Sequence, residues 1–322
     1  MRRGVIVIGS SNIDTMLYMK RFSSPGETVQ AISKRVSCGG KGANQAVAAS
    51  RAGADVVFAT ALGDDAEGGM LERRLSEERM ALSIVRKPGY TGQAFIEVDS
   101  RSENRIAVLG GANMRLSPED VGRMADEIAG CGALVLQNEI PSEANMAAME
   151  LASESGTAVV YNPAPFRPID RRMLGMTDYL VMNRTEFESM SGTDDLEAGS
   201  EALFSEGAGT VIVTLGKDGC FCAGDRRMEL PAPKVDAVDA VGAGDTFTGY
   251  LAASLSDGAS LEDSVALAVR AASLACTKRG SMDGIPDIGE VRRRLGSAEY
   301  RAMYVCNPNN PTGRVENRDT LG

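Results

Sequence analysis

Val5-Ile6-Val7-Ile8-Gly9-Ser10-Ser11-Asn12-Ile13-Asp14 is four aliphatic residues running straight into a glycine and a polar loop. Aliphatics in series, without alternation, suit a strand covered on both faces, as in a parallel sheet. Similar short apolar runs recur at Val56–Ala61, Ala133–Gln137, Ala158–Asn162, Tyr179–Met182 and Val211–Leu215. Between them lie helical patterns: Gly42–Ala54, Gly68–Arg79, Ser117–Ile128, Ser142–Glu154, Thr185–Ser191 and Glu197–Glu206. Ser117 followed by Pro118 is a good helix start, with serine as the cap and proline at the first position. Strands alternating with helices predict an α/β fold with a mainly parallel sheet. Residues 13–36 and 91–109 break the alternation. Their β-type segments, Thr28–Ile32 and Ala94–Val98, predict strands set apart from the main sheet, in a small antiparallel element beside a cleft.

Composition narrows the function classes. The chain has 322 residues, of which 43% are hydrophobic and 24% charged, enough for one large domain or two medium ones. No run of about 18 apolar residues is present, so no membrane-spanning helix is expected, and Val5–Ile8 is too short for a signal peptide. The net charge of −10, with no basic face in the sequence, speaks against a nucleic-acid partner. Six cysteines are scattered without C-x-x-C or metal spacing, and Cys220 and Cys222 fall on one predicted strand. Reduced thiols and a cytoplasmic location are the simplest expectation. There is no histidine. Histidine triads, histidine zinc sites and histidine bases are therefore excluded, and acid–base chemistry rests on Asp, Glu, Lys, Tyr or Cys.

Four segments carry candidate chemistry. Val238-Asp239-Ala240-Val241-Gly242-Ala243-Gly244-Asp245-Thr246-Phe247-Thr248-Gly249 leads into an Ala-rich helical stretch. Small residues at a helix start let main-chain N–H groups approach an anion, as phosphoryl transfer requires. Asp245 could cap that helix and also serve as base; a plain tight turn with a capping Asp is the alternative. Cys38-Gly39-Gly40-Lys41-Gly42-Ala43-Asn44-Gln45-Ala46 is no Walker A loop, because the G-x-x-x-x-G-K-[ST] spacing is absent. Its glycines still imply close approach to a ligand, with Lys41 and Asn44 as donors to hydroxyls; a glycine hinge with a solvated lysine is the alternative. Asn12 and Asp14 follow the first strand in an extended stretch, so both can face one way and suit a polyol. In Asn183-Arg184-Thr185-Glu186, the Asn and Glu could order Mg²⁺ near phosphates, or form a capping box.

Together these segments resemble the ribokinase family of carbohydrate kinases, over roughly residues 4–295. GGKGANQAVAA at 39–49 and VGAGDTFTG at 241–249 are similar to that family's two signatures, in the same order. The resemblance implies a doubly wound α/β sandwich spanning residues 1–297, with the segments 13–36 and 91–109 as a β-sheet lid and homodimer interface. It implies ATP-dependent phosphorylation of a sugar, D-ribose to D-ribose 5-phosphate first, with deoxyribose, fructose or adenosine as alternative acceptors; a catalytically silent sugar-binding regulatory protein is the alternative of another class. Asp245 matches the family's base, and Gly242, Ala243 and Gly244 match its anion hole. Asn12, Asp14, Gly40, Lys41, Asn44 and Glu139 match sugar-holding positions. Asn183 and Glu186 match positions linked to Mg²⁺ and phosphate, and Thr214 and Gly216 match nucleotide contacts. A K⁺ ion is implied at Asp239, Val241, Ala275, Lys278, Gly280 and Gly284, where Gly284 departs from an expected serine. Residues 298–322 read as an irregular polar tail; Tyr304–Gly313 within it resembles an aminotransferase turn that nothing else in the chain supports.

Overall fold

A computed structural model describes residues 4–101 and 103–295. Among the described residues thirteen strands form two sheets. In chain order they are β1 (Val5–Ile8), β2 (Asn12–Tyr18), β3 (Ser33–Gly39), β4 (Val56–Gly63), β5 (Ala81–Lys87), β6 (Gly92–Val98), β7 (Asn104–Leu109), β8 (Ala133–Gln137), β9 (Ala158–Asn162), β10 (Tyr179–Asn183), β11 (Thr210–Thr214), β12 (Cys220–Ala223) and β13 (Met228–Leu230).

The larger sheet runs β13-β12-β11-β10-β9-β8-β1-β4-β5. Every pairing from β11 to β5 is parallel; β12 and β13 close one edge antiparallel. Val5 and Val7 face one core, shared with the helices Lys41–Arg51, Ala243–Ser256 and Leu261–Ala275. Ile6 and Ile8 face the other, shared with Ser142–Ser155. Both faces of β1 are dry, which is why its residues do not alternate with polar ones. β1 sits between β4 and β8, where the strand order reverses, and crevices at such switch points hold ligands in open α/β sheets. The helices Lys41–Arg51 and Ala243–Ser256 cross so tightly that a Cβ on Gly249 would lie 2.4 Å from the Gln45 carbonyl oxygen.

The smaller sheet runs β3-β2-β6-β7. Two antiparallel pairs, β2–β3 and β6–β7, join through parallel pairing of β2 with β6. Ala94–Val98 belongs to β6 as expected. Thr28–Ile32 does not form a strand: Ile32 is 66% exposed, and the chain pairs instead at Ser33–Gly39. Register explains the choice, since β3 places Gly39 opposite Asn12 and Ser37 opposite Asp14. The expected helix over Ser117–Ile128 is two short ones, Pro118–Gly122 and Ala125–Gly130. Among the described residues no helix is long and apolar enough to cross a membrane. Cys38, Cys131, Cys220, Cys222 and Cys276 are free thiols. The tail, with its aminotransferase-like stretch, lies outside the described residues.

Candidate active site

Three glycines let two segments meet at the end of β1. A Cβ on Gly42 would lie 2.5 Å from the Ser10 amide nitrogen, and one on Gly39 would lie 2.1 Å from Asp14 Oδ2. Gly40 has φ +95° and would press a Cβ 2.8 Å from the Asn12 amide nitrogen. The helix Lys41–Arg51 therefore begins against the loop after β1. Its N-terminus is closed by a carboxylate from the loop after β8: the Lys41 amide donates to Glu139 Oε2 at 3.0 Å, and Ser10 Oγ donates to the same oxygen. An anion there is favoured by the helix dipole.

Asn12 and Asp14 follow on β2, both buried. Asn12 Oδ1 accepts from Asn113 Nδ2 at 2.8 Å, and Asn113 Oδ1 in turn accepts from the Ser11 amide at 3.0 Å. Burial, reinforced by Glu139 and Asp245, pushes the Asp14 carboxyl up from 3.8 to about 7. Lys41 lies among these acids. Its burial alone would lower its pKa, but Asp245, Glu139 and Glu186 outweigh that and raise it.

Asp245 enters from the helix Ala243–Ser256. Gly242 is the N-cap in a left-handed conformation, φ +79°, and no side chain caps the helix. Asp245 is therefore not the expected N-cap but the third helical residue. Its Oδ2 accepts from Asn44 Nδ2 at 2.9 Å and its Oδ1 from Gln45 Nε2 at 3.1 Å. The first-turn amides of Gly244 and Asp245 have no acceptor within the helix. A Cβ on Gly244 would meet nothing within 4 Å among the described residues, so open space lies beside this residue.

That space continues into a cavity of about 260 Å³, lined by Lys41, Asn183, Glu186, Thr214, Gly242, Gly244 and Asp245 among others. Asn183 and Glu186 do form the capping box: Asn183 Oδ1 accepts from the Glu186 amide at 2.8 Å, and Glu186 Oε2 from the Asn183 amide at 2.9 Å. Both also border the cavity, so the two readings coexist. Gly216, in a turn after β11 with φ +61°, does not line the cavity.

The residues matched to a cation site gather behind Gly242. Asp239 accepts from the amides of Val241 and Gly280, both at 3.0 Å, tying two loops together. A Cβ on Gly284 would lie 3.4 Å from the Ala275 carbonyl oxygen and 3.9 Å from that of Lys278. These carbonyls thus approach one another, whereas Val241 is half exposed. Among the described residues no cluster of three His, Cys, Asp or Glu could bind a metal.

Residues 2–288 match the family model described as pfkB family carbohydrate kinase. The chain belongs to that family. As a pfkB carbohydrate kinase it is a sugar phosphotransferase. It is 35% identical over 303 residues to ribokinase of Staphylococcus aureus, covering 91% of this chain and 100% of the relative. It is also 34% identical over 304 residues to deoxyribokinase of Salmonella typhi, covering 92% and 99%. The solved structure of Arabidopsis thaliana ribokinase complexed with ribose and ATP superposes with a TM-score of 0.84, at 30% identity, covering 91% of this chain and 98% of that one.

The structure adds Ser10, Gln45, Asn113 and Asn162 to the residues of this pfkB site. Gln45 carried a signal: it is a large polar residue inside an Ala-rich buried helix. Asn113 and Asn162 follow glycine and strand segments with no such mark.

Proposed function

We propose that this pfkB kinase transfers the γ-phosphoryl group of ATP to the primary hydroxyl of a pentose, converting D-ribose to D-ribose 5-phosphate. One observation carries the proposal. The Asp245 carboxylate stands at an uncapped helix N-terminus, between a polar floor of Asn12, Asp14, Lys41 and Glu139 and the cavity beside Asn183. Sugar hydroxyls would bridge the acceptors Asp14 and Glu139 and the donors Lys41 and Asn12. Phosphates would lie over Gly242–Gly244, where the absent Cβ at Gly244 leaves room and main-chain N–H groups meet charge developing in the transition state. Asp245 would accept the hydroxyl proton, as no histidine exists to do so.

Two ions fit the residues present. The capping box employs one oxygen of Glu186, so the other remains for water around Mg²⁺ at the cavity wall. K⁺ would be held by the carbonyls of Ala275, Lys278 and Gly284, with Asp239, Val241 and Gly280 framing the loops. Bound there, these ions would offset phosphate charge and stiffen the anion-binding turn. Ile106, Val108 and Leu109 are exposed on β7 and support a homodimer formed through the lid sheet. The kinase unit is taken as residues 1–297, with the lid segments inserted. The free thiols support a cytoplasmic enzyme.

The similarity to a deoxyribokinase makes 2-deoxyribose the second candidate. ADP release is measured with ATP·Mg²⁺ and D-ribose, 2-deoxyribose, fructose or adenosine, with K⁺ or with Na⁺ alone. Turnover highest on ribose and stimulated by K⁺ is expected. Higher turnover on another acceptor would refute ribose as the substrate, and sugar binding without ADP release would establish a silent binding protein.

A further inference from the structure

Asp245 is anchored through a chain of amides whose orientation is fixed by the main chain of the sheet. The Val181 carbonyl on β10 can only accept a hydrogen bond, and it faces Asn162 Nδ2 at 2.8 Å. Asn162 therefore turns its Oδ1 toward Gln45, whose Nε2 donates to it at 3.1 Å. The same Nε2 donates to Asp245 Oδ1 at 3.1 Å. Flipping Gln45 would set its own oxygen against both Asn162 Oδ1 and Asp245 Oδ1, three acceptors with no donor among them. Gln45, Asn162 and Asp245 are all buried, so that contact would leave buried acceptors unpaired. Among the described residues Gln45 Oε1 has no hydrogen-bond partner, so its NH₂ is the part of this side chain that the structure employs.

We infer that Gln45 and Asn162 are positioning residues, which hold the plane of the Asp245 carboxylate and keep its Oδ1 an acceptor while Oδ2 faces Asn44 and the sugar. The inference rests on the proposal that Asp245 is the base. A carboxylate that turns freely presents its basic oxygen for only part of the time, and small misplacements of a reacting group cost large factors in rate. Neutral amide donors orient the acid without pairing it to a cation. The charged groups facing Asp245, Lys41 and Asp14, are unchanged by substitutions in the relay.

The test compares Gln45→Leu, Asn162→Ser, their double variant and Asp245→Asn. Gln45→Leu should lower kcat by about tenfold to a hundredfold, the scale of one hydrogen bond to a charged group. The KM for sugar should stay within about threefold, because the floor residues are intact. Asn162→Ser should lower kcat by less, again with little change in KM, and the double variant should be no worse than Gln45→Leu, because the two act in series. Wild-type kcat in Gln45→Leu, beside an inactive Asp245→Asn, would overturn the relay and keep the base. Should Gln45→Leu fail to fold, a wild-type kcat in Asn162→Ser overturns it alone. An active Asp245→Asn would remove the base itself, and the relay inference with it.

Discussion

Asp14→Asn should stabilise the ligand-free protein while weakening sugar binding. Asp14 is buried beside two further carboxylates, and its carboxyl is raised from 3.8 to about 7 by burial first, then by Glu139 and Asp245. A carboxyl raised on folding binds protons more tightly in the folded chain than in the unfolded one. Stability therefore falls as pH climbs from about 4 to about 7, and the full cost is present above that window. At about 1.4 kcal/mol per pH unit between the two values, the cost approaches about 4 kcal/mol as an upper limit. Asparagine keeps the shape and removes the charge. Thermal unfolding of both forms without sugar, from pH 4 to pH 8, should show equal Tm near pH 4. The variant's advantage should then grow to at most about 16 °C at pH 8, at roughly 2–4 °C per kcal/mol. Ribose should raise the Tm of the parent and barely that of the variant. A Tm difference independent of pH, or a variant less stable at pH 8, would refute the argument.

Two glycines should separate folding from chemistry. Gly42→Ala forces a Cβ to 2.5 Å from the Ser10 amide nitrogen, an overpacking cost of about 1–3 kcal/mol, and should lower Tm by several degrees. Gly244→Ala meets nothing within 4 Å, so its Tm should hold while its KM for ATP rises and kcat falls; equal Tm losses in the two variants would contradict this. Gly284→Ser places its Cβ at ordinary contact distance, 3.4 Å, from the Ala275 carbonyl and adds a hydroxyl beside it. The K⁺ concentration giving half-maximal activation should fall, and an unchanged K⁺ dependence would remove Gly284 from the cation site.

The parallel core was legible because its strands are apolar on both faces, as at Val5–Ile8 and Val211–Val213. The edges were not. β3 reads Ser-Lys-Arg-Val-Ser-Cys-Gly and buries only Cys38 and Gly39, so its pattern is set by pairing to β2 rather than by burial. Thr28–Ile32 looked more like a strand but meets β2 only at its end, where the Ile32 amide donates to the Tyr18 carbonyl at 2.7 Å. β5 lies at the open edge of the main sheet, with no fully buried residue. In the site, glycine spacing and isolated polar residues pointed to Asp245, Lys41, Asn12 and Asp14, since a motif and its residue types can be read without knowing what surrounds them. The supporting amides left no such trace. Asn113 and Asn162 matter only through the side chain each one orients, and that depends on contacts between residues about a hundred positions apart.

The charge arrangement gives these amides a common purpose. Asp14, Glu139 and Asp245 converge with Lys41 as their shared cation, and no ion pair joins Asp245 to a basic side chain among the described residues. A base paired bidentately to arginine would be well ordered and poorly basic, because the cation favours the charged form. A base left unsupported in so acidic a site would turn away or protonate. Asn44 and Gln45 hold both oxygens of Asp245 with neutral donors, and Asn113 does the same for the amide of Asn12. Orientation comes from the amides, and the charge stays available for the sugar hydroxyl. With no histidine in the chain, the proposed base Asp245 gains from that separation, since direct pairing to a cation would reduce a carboxylate's proton affinity.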